Sequence, residues 1–347
     1  MDTLNPRILV AALAVYSLVG CATVPKPRMC EAELSQRERS FPTPDTWFTL
    51  LLHGFDAKKG VAPRPPVDCA GAPVAWEEPS ADECREAGPQ PLPLPPKERL
   101  TEEDLMLETT RANQRLVWVI TRRFSNGEGL GPVALVETTP KGFVVRAMGS
   151  LRGMTQNVRM RMEHVGGTDV LVAEGDTCTQ EEPQVCRRAA RILPLRNGRF
   201  FSEAVSGEDR ACLGAAWFPL SREQVLELPN GWHRRFELTS TLTFGADAVS
   251  IQEQVTVSDS DPKQPAIPER LFRRAQNDRK LKVEENVLVG SAPSLWTRMV
   301  EQQLVAGAKV LPDKPTAGHD DKATGLAKKP ATPAHQGGKA AVAQDQP

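Results

Sequence analysis

Trp232-His233-Arg234-Arg235-Phe236-Glu237-Leu238-Thr239-Ser240-Thr241-Leu242-Thr243-Phe244 is the stretch on which the fold turns. Side chains alternate along a strand, so Trp232, Arg234, Phe236, Leu238, Ser240, Leu242 and Phe244 share one face. His233, Arg235, Glu237, Thr239, Thr241 and Thr243 share the other. One largely apolar face and one polar face is the pattern of an antiparallel strand covered on a single side. Val249 to Val257 follows as its return, and Lys282 to Val289 reads as a last strand.

The same period of two extends toward the N-terminus. Leu116 to Thr121 is β-branched and aromatic, Pro132 to Glu137 follows a Gly-rich turn, and Gly142 to Ala147 follows Pro140-Lys141. Val158 to Glu163 alternates apolar and charged residues, Gly166-Gly167 turns the chain, and Asp169 to Ala173 returns. Asn197-Gly198 between Ala190 to Leu195 and Arg199 to Phe201 is a hairpin signal. Short runs separated by Gly, Pro and Asn indicate an antiparallel meander. The expected fold is therefore mainly β, an antiparallel sandwich or partly open barrel over residues 99–305.

A few helices decorate it. Short helical stretches are expected at Glu31 to Arg39, at Asp45 to Leu52 with Asp45 as cap, and at Leu100 to Arg111, where acidic residues follow Thr101. Ser294 opens an amphipathic helix with Leu295, Trp296, Met299, Val300 and Leu304 on adjacent turns. Ten of residues 61–96 are Pro, a density that excludes regular helix and central strand, so 61–98 reads as a Pro-rich, Cys-containing loop. The C-terminal stretch 306–347 is expected to be a disordered tail. From Leu311 onward it has no aromatic residue and only three large aliphatics, too little apolar surface to offset ordering entropy.

At the other end, a short polar segment with Arg7 precedes Ile8-Leu9-Val10-Ala11-Ala12-Leu13-Ala14-Val15, and the apolar run closes on Leu18-Val19-Gly20-Cys21. Ile8 to Val24 is 17 residues, shorter than the roughly 20 of a transmembrane helix. The layout resembles the lipobox signal peptide of bacterial lipoproteins. That resemblance implies removal of residues 1–20, diacylglycerol on the Cys21 sulfur and acylation of the new amino terminus, which leaves residues 21–60 as a lipidated tether with a short helical segment. Ala22 stands where an Asp would hold such a product at the inner membrane, so the resemblance further implies outer-membrane delivery.

The chain has seven Cys, and with Cys21 taken by lipid the remaining six are even in number: Cys30, Cys69, Cys84, Cys178, Cys186 and Cys212. In an exported chain these are disulfide candidates. Proximity pairs Cys178 with Cys186 and Cys69 with Cys84, leaving Cys30 with Cys212. No close C-x2-4-C spacing points to zinc, and neither metal nor cofactor is expected.

No catalytic signature emerges. Leu51-Leu52-His53-Gly54-Phe55 resembles the strand-end His-Gly of α/β-hydrolases, but the chain has no G-x-S-x-G pentapeptide and no βαβ succession, so a structural His-Gly is expected. His164 and His233 lack converging partners for a metal. Gly127-Glu128-Gly129-Leu130-Gly131 is read as a turn, since no phosphate-loop Lys or helix follows. Net charge is −1, which argues against nucleic acid.

Two basic clusters stand out: Arg187, Arg188, Arg191, Arg196 and Arg199 along one hairpin, and Arg270, Arg273, Arg274, Arg279, Lys280 and Lys282 in another segment. The leading expectation is a non-enzymatic outer-membrane lipoprotein serving as accessory or scaffold of an envelope complex. Its partners would be the membrane, through the N-terminal lipid, and an envelope protein. The alternative is a binding module for an anionic envelope ligand such as lipopolysaccharide, lipid head groups or cell-wall polymer, with Arg191, Arg196 and Arg199 as its ligand-binding residues.

Overall fold

The computed structural model of the chain describes residues 28–76, 91–178, 186–202, 204–284 and 287–311. Strand accounts for 57% and helix for 10%, which bears out the expected class; the strands form a nearly closed barrel and a half-barrel.

The barrel sheet runs β2 (Leu105–Arg111), β3 (Gln114–Val119), β5 (Glu128–Thr138), β6 (Gly142–Met154), β10 (Arg199–Phe200), β9 (Cys186–Arg196), β8 (Thr168–Cys178) and β7 (Gln156–Val165). Three further strands join its side: β1 (Cys30–Glu33) on β6, β4 (Arg122–Arg123) on β5 and β13 (Trp217–Pro219) on β9. Only β10 against β6 is parallel; the other pairs in this sheet are antiparallel. At Asn197-Gly198 both φ values are positive, 49° and 77°, as a two-residue hairpin turn of type I′ requires. Arg196 accordingly faces Arg199 across β9 and β10.

Leu116, Val117, Trp118, Val119 and Ile120 are all buried, so this run does not alternate in exposure. Both faces of β3 are covered, and that erases the contrast. Leu116, Trp118 and Ile120 point into the barrel with Val133, Leu151, Leu171, Leu193 and Phe200. Val117 and Val119 point outward, under α2 (Pro44–Leu51), against Trp47, Phe48 and Leu51. Phase is corrected along β6 by a bulge: Leu135 faces Ala147 while Val136 faces Val145. The extra residue, Arg146, lets Val145 pack under α2 while Ala147 faces the interior.

The half-barrel runs β12 (Cys212–Ala215), β11 (Ala204–Gly207), β18 (Val287–Gly290), β17 (Arg270–Glu284), β16 (Val249–Ser260), β15 (His233–Phe244), β14 (Ser221–Glu227) and β19 (Lys309–Val310). Phe236 and Leu238 of β15 are buried, Leu242 and Phe244 are partly buried, and Thr239, Thr241 and Thr243 are exposed, as the alternation predicts. One end of the apolar face packs on the outside of the barrel, Val249, Ile251, Leu281 and Val283 meeting Val170, Val172, Ala190 and Ile192. The other end packs on α3 (Leu295–Val305), Phe236, Leu238, Val255 and Val257 meeting Leu295, Trp296 and Val300. Ser294 caps α3 through its hydroxyl, which accepts from Trp296 N at 3.1 Å.

Several sequence readings change. Leu100 to Arg111 is not a helix: a single 3-10 turn, Glu102–Asp104, leads straight into β2. The acidic run suits a helix start, but pairing with β3, whose last four residues are buried, overrides local propensity. Glu31 to Arg39 divides into β1 and α1 (Gln36–Ser40). Ser35 forms a capping box with Glu38 at that boundary. Helix α2 starts from Thr43, with Pro44 rather than Asp45 at its entry. Lys282 to Val289 is the end of one strand and most of the next, and β17 begins at Arg270. Ordered chain continues past residue 306, with β19 on β14 and Leu311 N donating to Val225 O at 3.0 Å.

Asp104, 1% exposed, fastens the 3-10 turn. Its carboxylate accepts from Lys97 Nζ at 2.9 Å, Thr101 N at 3.0 Å and Arg123 Nη2 at 2.9 Å. Burial pushes this carboxyl up, but the bonds from Lys97, Thr101 and Arg123 more than offset it, and the group sits below the usual carboxylate range. A depressed folded-state pKa stabilises the fold above the unfolded value of about 3.9 and is lost as pH falls through the lower folded value. Asp104→Asn should therefore lose about 1.5–3 kcal/mol at pH 7. Its gap to the unaltered protein should narrow as pH falls below about 4, read by urea unfolding across pH.

Candidate functional site

The three arginines expected to bind an anionic ligand are built into the body. Arg191 on β9 is 2% exposed. Its guanidinium lies between the rings of Trp76 at 4.8 Å and Trp217 at 4.4 Å, and its Nε donates to Arg152 O at 3.0 Å. Glu128, at the start of β5, stands 2.7 Å from Arg152 Nη2 and 3.5 Å from Arg191 Nη2. An ion group desolvated this fully holds its geometry because removing one member strands the others. Arg199 pairs with Asp68, whose carboxylate also accepts from Ala70 N and Ala72 N, both at 2.9 Å. Arg196 is half-buried, with its guanidinium over Phe201 at 4.4 Å. The period of two separates the cluster further, since Arg188 meets Glu174 and Asp176 instead.

His53 is exposed at the end of α2 and His164 pairs with Asp169 at 2.8 Å. Gly127 lies in the turn, whereas Glu128 to Gly131 belong to β5, so the Gly-rich stretch read as a turn is mostly strand. Gly131 is required there by close approach: a Cβ would stand 1.6 Å from Val119 O. Among the described residues, no group of three or more His, Cys, Asp or Glu could hold a metal. No helix among them is long and apolar enough to cross a membrane.

The cysteines give a different picture from the proximity argument. Cys30 is bonded to Cys69, which overturns both the Cys30–Cys212 and the Cys69–Cys84 pairings. The reason is topological. β1 adds to β6, Cys30 facing Val145 and Glu33 facing Gly142, and this carries Cys30 to the turn at Asp68–Ala72, far away in sequence but adjacent in space. Cys212 is itself disulfide-bonded. Cys178 and Cys186 are directly opposite in the β8–β9 register, but their side chains, with Cys21 and Cys84, lie outside the described residues.

β1 is thus stapled into the body through the 61–76 segment. The Cys30–Cys69 bond holds β1 to the 61–76 segment, and Asp68 with Arg199 holds that segment to β10. Gly142 gives β1 the room to dock, since a Cβ there would stand 1.8 Å from Ala32 O. The Cys30→Ser/Cys69→Ser double variant should lose about 2–4 kcal/mol, the range for releasing a loop of this size. Thermal unfolding under oxidising conditions measures it.

The second feature with room to act is the edge of β17. On one side β16 pairs with it from Arg270 to Leu281; on the other, β18 meets only Leu281 to Glu284. Lys280 marks which groups face the second side, because its N–H donates to Ser291 Oγ at 3.0 Å and its C=O accepts from Ser291 N at 2.9 Å. Both main-chain groups of a strand residue point the same way and alternate residues share a direction. Asp278, Gln276 and Arg274 therefore present N–H and C=O to that side, where no described strand receives them. Leu271 and Phe272 at its start are 51% and 58% exposed. The sequence marked this segment only as a basic cluster. Its strand signal was hidden because arginines occupy positions where apolar residues would have alternated.

No family model matches the chain, and no curated protein or solved structure matches it.

Proposed function

We propose that the chain is a lipid-anchored envelope protein, held at the outer membrane through Cys21, whose β body serves as a scaffold for an envelope protein rather than as an enzyme. The observation that carries this reading is the stapled segment beyond the lipobox. Cys30 lies nine residues after Cys21, and nine residues span at most about 30 Å. A lipid on Cys21 would therefore hold the barrel close to the bilayer surface, and the Cys30–Cys69 bond would transmit that restraint into the sheet. A disulfide at that position also suits an oxidising compartment. Two or more acyl chains give the firm anchoring such a role requires. The open β17 edge supplies a contact surface away from the anchor in sequence.

The anionic-ligand alternative draws less support from the geometry, since Arg191 would have to leave its enclosure between two Trp rings and Arg199 its bond to Asp68.

Crosslinking in native membranes, followed by mass-spectrometric identification of adducts, tests the scaffold reading beside Cys21→Ser. The expected result is stoichiometric envelope protein on the lipidated form and its loss from Cys21→Ser. A lone protein carrying glycan or lipid would overturn it.

A further inference from the structure

We infer that the β17 edge receives an extended acidic segment of the partner protein as an added antiparallel or parallel strand, a proposal that rests on the scaffold reading. Strand addition needs an unpaired edge, main-chain groups directed outward and side-chain determinants that select the guest. Arg274, Gln276 and Asp278 supply the outward groups, as the hydrogen bonds of Lys280 establish by alternation.

The selection comes from charge. Arg270, Arg273 and Arg274 are all exposed and make no ion pair among the described residues, whereas Arg279 is paired with Glu253 and Lys282 with Glu284. Leu271 and Phe272 beside them, and Ile267 just before at 59% exposure, offer apolar contact to alternate guest side chains. Phe272 is held in place by Arg234, whose guanidinium lies over its ring at 4.0 Å.

Arginines and a bulge are also how proteins keep an edge from pairing indiscriminately. Here the register shift falls between Val257 and Ser258, opposite Phe272, so both devices sit at the first residues of the strand and leave Arg274 to Asp278 regular. Positive charge at that point selects among guests instead of refusing all of them. A second copy paired antiparallel about Gln276 would set Arg274 opposite Asp278 but Arg273 opposite Arg279, a like-charge pair, so it is matched less well than an acidic strand. A strand carrying Glu or Asp gains the corresponding attraction.

The test uses the full-length protein purified from membranes in detergent and three fluorescent decapeptides alternating Val with Glu, Val with Lys and Val with Ser. Binding is read by anisotropy, and the site by hydrogen exchange of the β17 amides. The Val/Glu peptide should bind at least tenfold more tightly than the Val/Lys peptide and slow exchange at Arg274, Gln276 and Asp278. Gln276→Pro removes one outward N–H at a position where an edge tolerates proline, and should weaken that binding at least tenfold. Arg270→Glu with Arg273→Glu and Arg274→Glu should transfer the preference to the Val/Lys peptide. Equal binding of the three peptides, binding without slowed exchange on β17, or binding indifferent to Gln276→Pro would each overturn the proposal. Should membrane crosslinking identify a partner while these peptides fail, the scaffold reading stands with its contacts elsewhere. If crosslinking finds no partner, the scaffold reading fails whatever the peptides do.

Discussion

Glu253→Ala is expected to destabilise the protein by about 3–5 kcal/mol, the range for breaking a buried ion pair. Glu253 is 4% exposed at the middle of β16, between the residues that pack on the barrel and those that pack on α3. One of its oxygens accepts from Arg279 Nε at 3.1 Å and Nη2 at 3.0 Å; the other accepts from Leu295 N, the first residue of α3, at 2.8 Å. Alanine leaves the Arg279 guanidinium, itself 8% exposed, without its counter-charge. It also strands a helix N–H that has no intrahelical acceptor. Glu253→Gln keeps an acceptor for Leu295 and should cost less than alanine. Urea unfolding of both variants measures the difference, and a loss below about 1 kcal/mol for Glu253→Ala would mean that α3 is held by Trp296 and Val300 packing alone.

Trp47→Ala carries an expected loss of similar size, about 3–5 kcal/mol, for a different reason. Trp47 is 1% exposed and lies flat on Phe143, ring centroids 4.6 Å apart with a 9° interplanar angle. It joins α2 to the outer face of β3, β5 and β6, so its removal opens a cavity between a helix and a sheet that has little freedom to close over it. Since β1 docks beside the same cluster through Met29, Cys30 and Ala32, the variant should also speed hydrogen exchange at Met29 and Leu34, whose amides donate to Val145 O and Lys141 O. Unchanged protection there, with stability lost, would separate the α2 core from the docking of β1.

The alternation in β15 made the half-barrel legible because one of its faces meets solvent; Thr239, Thr241 and Thr243 advertise the wet side. Asn197-Gly198 likewise carried its turn type in two residues. The barrel was harder to read. In β3 both faces are buried, and a run of five apolar residues has no period to display. Leu100 to Arg111 reads as a helix because three acidic residues follow Thr101, while the strand state of Leu105–Arg111 comes from its pairing with β3. The disulfide was misassigned for the same kind of reason. Separation along the chain places Cys69 nearer Cys84 than Cys30, but β1 returns across β6 and reverses the order.

For the arginines, number is legible in the sequence and fate is not. Arg191 and Arg199 are spaced as if for one ligand, yet the first turns into the barrel between Trp76 and Trp217 and the second outward to Asp68. Arg270, Arg273 and Arg274 looked less specific, and they are the ones left on an open edge. What distinguishes the two sets is pairing, which depends on where Glu128, Asp68 and Glu253 arrive in three dimensions.

The proposal that the body is held at the envelope by its N-terminus is tested most directly by the mass of the mature N-terminal peptide from membrane-purified protein. The expected mature chain begins at Cys21, its sulfur carrying diacylglycerol and its amino group a further acyl chain. A chain still beginning at Met1, or one whose Cys21 carries no lipid, would contradict it.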